Sequence, residues 1–406
     1  MRNPDIRGAG PVRPQDHPAA GGRGGDDTAG LRADVPGHGG CAVWHAESRL
    51  AGLFPAAGFE DPDRGPLPGG RRDTPGPRGA DGGAVRSPGG AEPVAGPDFA
   101  QPVVAGGYRW WYLDALSDDG RHALTIIAFV GSVFSPYYAA ARRRGPADPA
   151  AHCAINAVLY GPRGKRWALT ERGAAALQRS REQLQIGPSA MRWDGSCLEV
   201  EIDEITVPLP GRLRGRVRLH PAALTSHRYA MDPGGRHHWW PAAPVARVEG
   251  SMQRPALAWR GHASFDSNGG SEPLESGFRD WDWSRAALGD GSCAILYDTR
   301  ALDGSERQLA LRFDGQGRAT SFPLPEQGAL PATPIWRIGR ATRAECGTAQ
   351  VRRTLEDTPF YARSLLATTL LGEPVTAVHE SLSMLRFRQR WVQYLLPFRM
   401  PRRARP

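Results

Sequence analysis

Strict alternation of apolar and polar residues marks several short segments of the chain. Leu198, Val200 and Ile202 are separated by acidic residues, and Val217 and Leu219 lie between basic ones. A period of two is typical of half-buried β-strands, because successive side chains of a strand point to opposite faces. Turns rich in Gly, Pro, Asp or Asn separate such segments as far as residue 322. The pattern predicts an all-β fold, either a sandwich or a barrel.

Longer apolar runs extend this prediction at both ends of the β region. Residues 108–112, with the sequence YRWWY, are predicted to form an aromatic strand, and residues 124–130 a second one. The SDDG turn between them favours a hairpin. Near the C-terminus, residues 359–371 and 382–396 are predicted to be helical, and the second helix ends at Pro397.

Composition divides the chain into three regions. Residues 1–98 are dominated by Gly, Pro, Arg, Asp and Ala and carry few large aromatic side chains. We interpret them as a disordered extension, or as upstream sequence that is not translated. Aromatic strands near residues 108 and 259 both lead into Asp/Gly turns, which predicts two similar β domains, 99–245 and 246–406. The proline-rich residues 241–244 would join them.

Charge and cysteine usage narrow the candidate functions. The net charge is +9, but Lys165 is the one lysine and the arginines do not gather in a single patch, so we predict no nucleic-acid partner. The five cysteines are dispersed without metal-ligand spacing, which predicts reduced thiols and no metal site. No window approaches the roughly 18 apolar residues of a membrane-spanning helix. We therefore expect a soluble or peripheral protein.

One carboxylate lies in the most aromatic stretch of the chain, residues 259–284. Asp266 is flanked there by four large rings, those of Trp259, Phe265, Trp281 and Trp283. Aromatic walls would exclude water from this carboxyl group, which disfavours its charged form and raises its pKa. A neutral acid of this kind could protonate a double bond while ring faces stabilise the carbocation. Residues 266–270 also fit a hairpin turn, in which Asp266 would only bond the backbone.

His237 and Trp239 lie two positions apart on a predicted extended segment, so their side chains share one face. His237 could orient or reprotonate Asp266, or take a proton from a water molecule. Trp239 would stabilise the cation. The alternative is that both residues serve only packing and turn capping. Five other acids are expected at turns or on the surface, namely Asp114, Asp118, Asp119, Asp280 and Asp282.

Several long motifs resemble a single enzyme family. They are residues 107–172, beginning GYRWWYLDALSDDG, residues 202–210, the RHHWWP segment at 236–241, and residues 261–275, 353–363 and 378–381. Through these motifs residues 99–402 resemble the carotenoid 1,2-hydratases, also called hydroxyneurosporene synthases, of phototrophic bacteria. The first 98 residues do not share this resemblance.

The resemblance implies addition of water across the terminal C1=C2 double bond of an acyclic carotenoid, such as neurosporene or lycopene. The product would be a tertiary alcohol, formed without an organic cofactor or a metal. The family's fold implies a pair of lipocalin-like, or calycin, β-barrels with C-terminal helical segments. Asp266, His237 and Trp239 would be catalytic. The residues expected to contact the substrate are Trp110, Tyr112, Trp259, Ser264, Phe265 and Trp281.

Position 264 departs from the family pattern. The family usually places an aromatic residue, typically Tyr, two residues before the acid, whereas Ser264 stands here. Serine keeps a hydroxyl group but lacks the ring. Either Phe265 and Trp259 complete the aromatic cage, or the activity is altered.

Two further functions fit the same pattern. One is a non-catalytic, lipocalin-like carrier of carotenoid or lipid, and the other is a glycoside hydrolase, since tryptophan-rich β folds with scattered acids often bind sugars. An acyclic carotenoid is dissolved in a membrane. We therefore expect peripheral attachment to the cytoplasmic face of the intracytoplasmic, photosynthetic membrane, with the basic tail at residues 399–405 as a candidate contact.

Overall fold

A computed structural model describes residues 95–347 and 349–403 of the chain. Most of these residues form strands, which confirms the prediction of a β-rich fold. The first twelve strands are β1 (Tyr108–Ser117), β2 (Ala123–Val130), β3 (Cys153–Gly161), β4 (Gly164–Arg172), β5 (Leu177–Arg179), β6 (Gln183–Ile186), β7 (Ser189–Trp193), β8 (Leu198–Ile205), β9 (Arg212–Pro221), β10 (Tyr229–Ala230), β11 (His237–Arg254) and β12 (Ala256–Gly270). The others are β13 (Phe278–Ala287), β14 (Cys293–Ala301), β15 (Glu306–Phe313), β16 (Ala319–Ser321), β17 (Gln327–Leu330), β18 (Arg340–Arg343), β19 (Gln350–Asp357), β20 (Tyr361–Leu370), β21 (Glu373–Ser383) and β22 (Arg402–Arg403).

Short helices lie between the strands and near the C-terminus. The α-helices are α1 (Pro136–Arg142), α2 (Leu274–Gly277), α3 (Met384–Phe387) and α4 (Arg390–Arg399), and single 3₁₀ turns occur at Pro149–Ala151, Ala174–Ala176 and Glu345–Gly347. Ser135 caps α1 by accepting a hydrogen bond from the Tyr138 N–H, and Pro136 occupies its first turn.

The first sheet has thirteen strands in the order β22-β4-β3-β2-β1-β12-β11-β9-β8-β7-β6-β5, with β10 added beside β11. Alternation along β8 matches the sequence prediction, since Leu198, Val200 and Ile202 are buried and the acids between them are partly exposed. These side chains share one core with Trp111 of β1 and Ile155 of β3. Because strands from both halves of the sheet contribute to this core, the sheet curls around it.

The second sheet has seven strands in the order β16-β15-β14-β13-β21-β20-β19, and β17 and β18 form a separate hairpin. It packs against the outer face of β1–β4 in the first sheet. Trp110, Phe129 and Val158 of the first sheet share a core with Trp283 and Leu382 of the second. The structure therefore shows two packed sheets and does not confirm two closed barrels.

A buried ion cluster joins the two sheets. Asp114 of β1 accepts hydrogen bonds from Arg285 of β13, at 2.8 Å from its Nη2, and from Arg363 of β20. All three side chains are buried. Burial alone would raise the pKa of Asp114, but the two guanidinium groups outweigh it and lower the pKa. Asp114 was expected at the surface or in a turn, and the structure corrects this: it lies on the buried face of a central strand.

The division between the sheets differs from the predicted domain boundary. The boundary between residues 245 and 246 falls inside β11, and β12 still belongs to the first sheet. The chain passes to the second sheet only at α2 and β13. Pro241 and Pro244 do not form a linker, because β11 accommodates them where its register with β12 shifts.

Two C-terminal predictions need correction. Residues 359–371, predicted as a helix, contain β20, which pairs with β19 and β21. Its interior residues are buried on both faces, so the period of two is lost. Residues 382–396 are helical only from Met384, in two short pieces, and Pro397 lies inside α4 rather than ending it.

Residues 1–94 of the predicted extension lie outside the described residues. Residues 95–98 are described and are part of the fold. Ala95 and Pro97 accept hydrogen bonds from the indole N–H groups of Trp193 and Trp111, at 2.7 and 3.4 Å. Phe99 directly after them is completely buried. The fold therefore includes residues that precede the predicted start of the first domain at residue 99.

Candidate active site

A cavity of about 360 Å³ lies between the two sheets. Strands β1–β4, β11 and β12 form one wall, and β13, β14, β19–β21 and α4 contribute the other. Its lining is mainly apolar and includes the aromatic residues Trp110, Tyr112, Trp239, Trp281, Trp283 and Tyr297. The volume falls within the range of roughly 300 to 1,000 Å³ that is usual for small-ligand sites.

Alternation along β1 and β12 decides which side chains reach the cavity. Tyr112 pairs with Asp266 across these strands, and Trp110 pairs with Asn268. All four side chains line the cavity. The residues between them point into the core of the curled sheet, because neighbouring positions of a strand face opposite sides. Asp266 thus enters a largely aromatic wall.

The carboxyl group of Asp266 is nearly inaccessible to solvent, with 6% of the residue surface exposed. Burial raises the pKa of Asp266 well above its usual value, and the nearby charges of Glu380 and Asp114 add to this rise. Trp239 and Arg285 lower the pKa but do not cancel the effect. The indole N–H of Trp239 makes no hydrogen bond of good geometry. Asp266 therefore keeps its proton at pH values where an exposed carboxyl group is charged.

Aromatic rings surround the region near Asp266. The ring of Trp239 meets that of Tyr297 edge-on, with centroids 5.4 Å apart, and Tyr297 meets Trp281 at 6.4 Å. Trp110 lies 6.4 Å from Trp281. Several π faces and edges therefore converge on one apolar space. Such faces attract a positive charge, most strongly where water is excluded.

A second carboxylate, Glu380 of β21, faces the cavity from the other sheet. Its Oε1 accepts hydrogen bonds from the hydroxyl groups of Tyr112 and Tyr361, at 2.7 and 2.8 Å, and also from Arg363. Arg363 in turn bonds Asp114. These partners fix the carboxylate and balance its charge. Glu380 is therefore a rigid acceptor in the wall opposite β12.

His237 does not line the cavity. Its ring nitrogens lie 3.0 Å from the Tyr108 hydroxyl group and 3.4 Å from Glu272, and its backbone N–H donates to Asp232. His237 pairs with Gly270, four residues beyond Asp266, which corresponds to about 13 Å along the strand. The predicted contact between His237 and Asp266 is therefore corrected. Burial lowers the pKa of His237, so the ring favours its neutral form.

The structure separates the other sequence-predicted residues into two groups. Trp110, Tyr112, Trp239 and Trp281 line the cavity together with Asp266. Phe265 and Trp259 pack instead in the core of the curled sheet, on the opposite face of β12. They cannot complete the cage, because residues adjacent to a cavity-facing position point away from it.

Ser264 shares the face of Asp266 but lies outside the cavity lining. It pairs with Asp114, next to the buried ion cluster, and its hydroxyl group is buried without a hydrogen-bond partner. A larger side chain at this position would approach the Asp114 cluster. The predicted direct contact of Ser264 with substrate is therefore not part of this geometry.

Sequence reasoning assigned no role to Glu380 or Tyr297, although each lines the cavity. Trp283 was named as a neighbour of Asp266, and Glu380 lies within one of the motifs that carried the family resemblance. No local spacing connects Glu380 with Tyr112 and Arg363, because these residues come from three different strands.

Two kinds of feature are absent from the described residues. Between residues 95 and 403, Thr348 excepted, no three His, Cys, Asp or Glu side chains are grouped so that they could hold a metal ion. In the same part of the chain, no helix combines the length and the apolar character needed to cross a membrane.

Fold and site together define a β-rich protein with an apolar cavity, in which one buried acid with a raised pKa faces aromatic rings. The family model for the carotenoid hydratase CrtC matches residues 126–406. The acyclic carotenoid 1,2-hydratase of Thiocapsa roseopersicina is 52% identical over 377 residues, which cover 93% of this chain and 93% of that protein. The acyclic carotenoid 1,2-hydratase of Rubrivivax gelatinosus is 50% identical over 404 residues, covering 98% of this chain and 97% of that protein. The chain belongs to the carotenoid hydratase family CrtC.

A solved structure supports the fold independently. The putative AttH protein of Nitrosomonas europaea superposes with a TM-score of 0.52 and 16% sequence identity, covering 73% of this chain and 98% of that one. This similarity concerns the lipocalin-like fold alone.

Proposed function

We propose that this protein adds water to the terminal C1=C2 double bond of an acyclic carotenoid and forms the tertiary 1-hydroxy product. The observation that carries the proposal is the buried Asp266, whose pKa is raised, inside an aromatic cavity of a chain from this family. An unactivated alkene needs a proton donor and a site that tolerates a carbocation, and this cavity offers both.

The reaction begins with proton transfer from the neutral Asp266 carboxyl group to C2. The π electrons form the new C–H bond, C1 becomes a tertiary cation, and Asp266 becomes a carboxylate. Trp239 and Tyr297 face this space and stabilise the cation through their ring quadrupoles. The negative charge of Asp266 now lies close to the cation, which also favours its formation.

Water then adds to C1, and Glu380 orients it. The three hydrogen bonds to Glu380 all end on Oε1, so Oε2 is left to accept a hydrogen bond from the water molecule. When the C–O bond forms, the water loses one proton, which returns to Asp266. The atoms balance, because one alkene and one water give one alcohol and the acid is regenerated.

The proposed steps use neither an organic cofactor nor a metal, because Asp266 donates and recovers the proton and Glu380 orients the water molecule. Dialysis against a chelator is therefore expected to leave the rate unchanged. A rate that falls and is restored by a divalent cation would contradict this part of the proposal.

The decisive test is the Asp266→Asn variant, incubated with lycopene or neurosporene in ¹⁸O-labelled water without oxygen. The native protein is expected to place solvent oxygen in the product. The variant should lose at least about 100-fold in rate, as is usual when a general acid is removed. Asp280→Asn is the matched control, since Asp280 lies on β13 beside Trp281 but outside the cavity lining.

The result also separates the alternative functions. If the native protein and Asp266→Asn both bind carotenoid and neither converts it, the protein is a carrier. Product oxygen that derives from O₂ would contradict hydration altogether.

A further inference from the structure

Helix α4 carries a stripe of large apolar side chains that face solvent. Trp391, Tyr394, Leu395 and Phe398 have exposed fractions of 41, 75, 39 and 75%. Their spacing of i, i+3, i+4 and i+7 places them on one face of the helix. Such a stripe usually faces a protein core. Here it faces outward.

The opposite face of α4 is also apolar. Val392 is completely buried in the core shared by the two sheets, and Leu396 packs against the same core. The helix is therefore already anchored by one face while its second apolar face remains uncovered. Apolar side chains that the core leaves uncovered as one patch are typical of an interaction surface.

A neighbouring loop extends this uncovered surface. Trp336 stacks on Trp391, with centroids 5.7 Å apart and planes at 18°. The carboxylate of Asp357 accepts hydrogen bonds from the backbone N–H groups of Ile335 and Trp336, at 2.7 and 3.2 Å, and thereby fixes the loop. Ile335 is 75% exposed. We call the surface formed by Ile335, Trp391, Tyr394, Leu395 and Phe398 the apolar rim.

The apolar rim lies at the mouth of the cavity. Leu395 and Phe398 belong to the cavity lining and are also exposed to solvent. Trp336, which is stacked on the rim, lines the cavity as well. An apolar surface thus continues without interruption from the outside of the molecule to the wall of the site.

The C-terminal segment that carries most of the rim has charges of one sign. From residue 381 to the C-terminus the sequence contains seven arginines and no acidic residue. Arg388 and Arg390 are exposed at the N-terminal end of α4. Exposed apolar and aromatic side chains beside arginines are typical of helices that lie in the interface of an anionic bilayer.

The tail expected to contact the membrane is less available than its charge suggests. Arg402 bonds the buried Glu171, and β22 joins the first sheet beside β4. Arg399 lies over the ring of Trp167, at 4.5 Å. Arg388 and Arg390 are therefore the exposed basic side chains next to the rim that are available to contact a membrane.

We propose that the apolar rim docks on an anionic lipid bilayer and lets the carotenoid end group pass from lipid into the cavity without crossing water. The inference rests on the proposed function for the identity of the substrate. It does not rest on it for the binding of lipid, which needs no carotenoid. Tyr394 and Trp391 sit at the headgroup level, Phe398 and Leu395 contact acyl chains, and the arginines contact phosphate groups.

The test is flotation of the purified full-length protein with vesicles of phosphatidylcholine, with and without phosphatidylglycerol. The Ile335→Gln/Tyr394→Gln variant removes rim residues that do not line the cavity. Its bound fraction is expected to fall at least about tenfold, because insertion depends on buried apolar area. The matched control is Leu302→Gln, a residue 42% exposed between β14 and β15, which should bind like the native protein.

Charge is tested separately with Arg388→Gln/Arg390→Gln. We expect this variant to lose its preference for phosphatidylglycerol and to become less sensitive to salt. Binding that is equally strong on both vesicle types, for the native protein and for this variant, would overturn the electrostatic part of the proposal.

Hydration assays distinguish failure of the docking surface from failure of the proposed function. Ile335→Gln/Tyr394→Gln should hydrate carotenoid in detergent micelles at the native rate and carotenoid embedded in vesicles much more slowly. If it also binds vesicles like the native protein, the docking proposal is wrong. If the native protein sediments as a dimer that this variant dissociates, the rim is an interface between two copies and the proposal is also wrong.

Discussion

The environment of Asp266 favours the neutral acid at the expense of stability. Because burial raises the pKa of Asp266, the folded protein binds its proton more tightly than the unfolded chain does. The stability that this proton contributes is complete below the usual pKa of about 3.8 and is lost as the pH rises toward the folded-state pKa. A chain that needs a neutral acid at this position is therefore less stable at neutral and alkaline pH.

The Asp266→Asn variant is expected to gain stability relative to the native protein as the pH rises. Urea unfolding at a series of pH values measures the difference in free energy of unfolding between the two proteins. Asp282→Asn offers a comparison, because burial raises the pKa of Asp282 to about 7. The difference in free energy of unfolding between this variant and the native protein should therefore become constant above that pH. A difference for Asp266→Asn that is constant with pH would show that this carboxyl group is not shifted.

Glu380→Gln is expected to slow hydration by about 10- to 100-fold, because the amide orients water less well than a carboxylate. Carotenoid binding should remain. Glu380 also raises the pKa of Asp266, so its replacement lowers that pKa, and the loss of activity with rising pH moves to lower pH.

The control for this prediction is Tyr361→Phe, which removes one hydrogen bond to Glu380 but keeps the carboxylate. It should have the smaller effect on rate and leave the pH profile nearly unchanged. Glu380→Gln with a native rate and a native pH profile would exclude a role for Glu380 in the reaction.

Local neighbours explain which site residues the sequence could reveal. Asp266 was identifiable because aromatic residues precede and follow it, although two of those, Trp259 and Phe265, face the other side of β12. His237 was placed correctly on the face of Trp239, but a shared face does not determine distance. Glu380 was missed because its partners come from β1 and β20, and sequence spacing carries no information about such contacts.

At the scale of elements, β1 connects the acid site with the second sheet. Its Tyr112 pairs with Asp266 and bonds Glu380, and two residues further Asp114 bonds Arg285 and Arg363. Through Tyr112, β1 holds the carboxylate of Glu380 in place. Through Asp114, it also neutralises the buried guanidinium groups of Arg285 and Arg363. Displacement of β1 would disturb both sides of the cavity together.

Asp114→Asn is expected to destabilise the protein by about 3 to 5 kcal/mol, because it leaves two buried arginines without their shared carboxylate. Urea unfolding measures this loss. Asp118→Asn is the matched control, since it removes an aspartate whose ion pair with Arg247 is exposed to solvent. This variant should lose at most about 1 kcal/mol in free energy of unfolding. Equal losses in the two variants would mean that the buried cluster adds nothing to the joining of the sheets.

The predictability of the elements follows their burial. Strands with one solvent-exposed face, such as β8 and β9, alternate between apolar and polar residues and can be predicted from the sequence. β20 is buried on both faces, so its apolar run resembles a buried helix, and only its pairing with β19 and β21 decides the conformation. β11 runs through two prolines, which suggested a boundary where the strand only shifts its register.

At the scale of the whole molecule, the β-rich class followed from the sequence, and the family resemblance supplied the lipocalin-like expectation. The partition into sheets did not follow, because β12 pairs with β1 across more than a hundred residues. Long-range pairing of this kind depends on the complete set of strands. The net charge of +9 also said little, since many arginines are occupied in ion pairs of the fold.

The modest size of the cavity, about 360 Å³, restricts how a long substrate can be processed. If the proposed reaction takes place in this cavity, the cavity encloses the terminal portion of a polyene and the remainder protrudes past α4. The two ends of one carotenoid molecule would then be hydrated in two separate binding events. The half-converted pigment must detach, turn round and compete with fresh molecules for re-entry. The ratio of singly to doubly hydrated carotenoid would then depend on the relative concentrations of unmodified and singly hydrated molecules that compete for the one site.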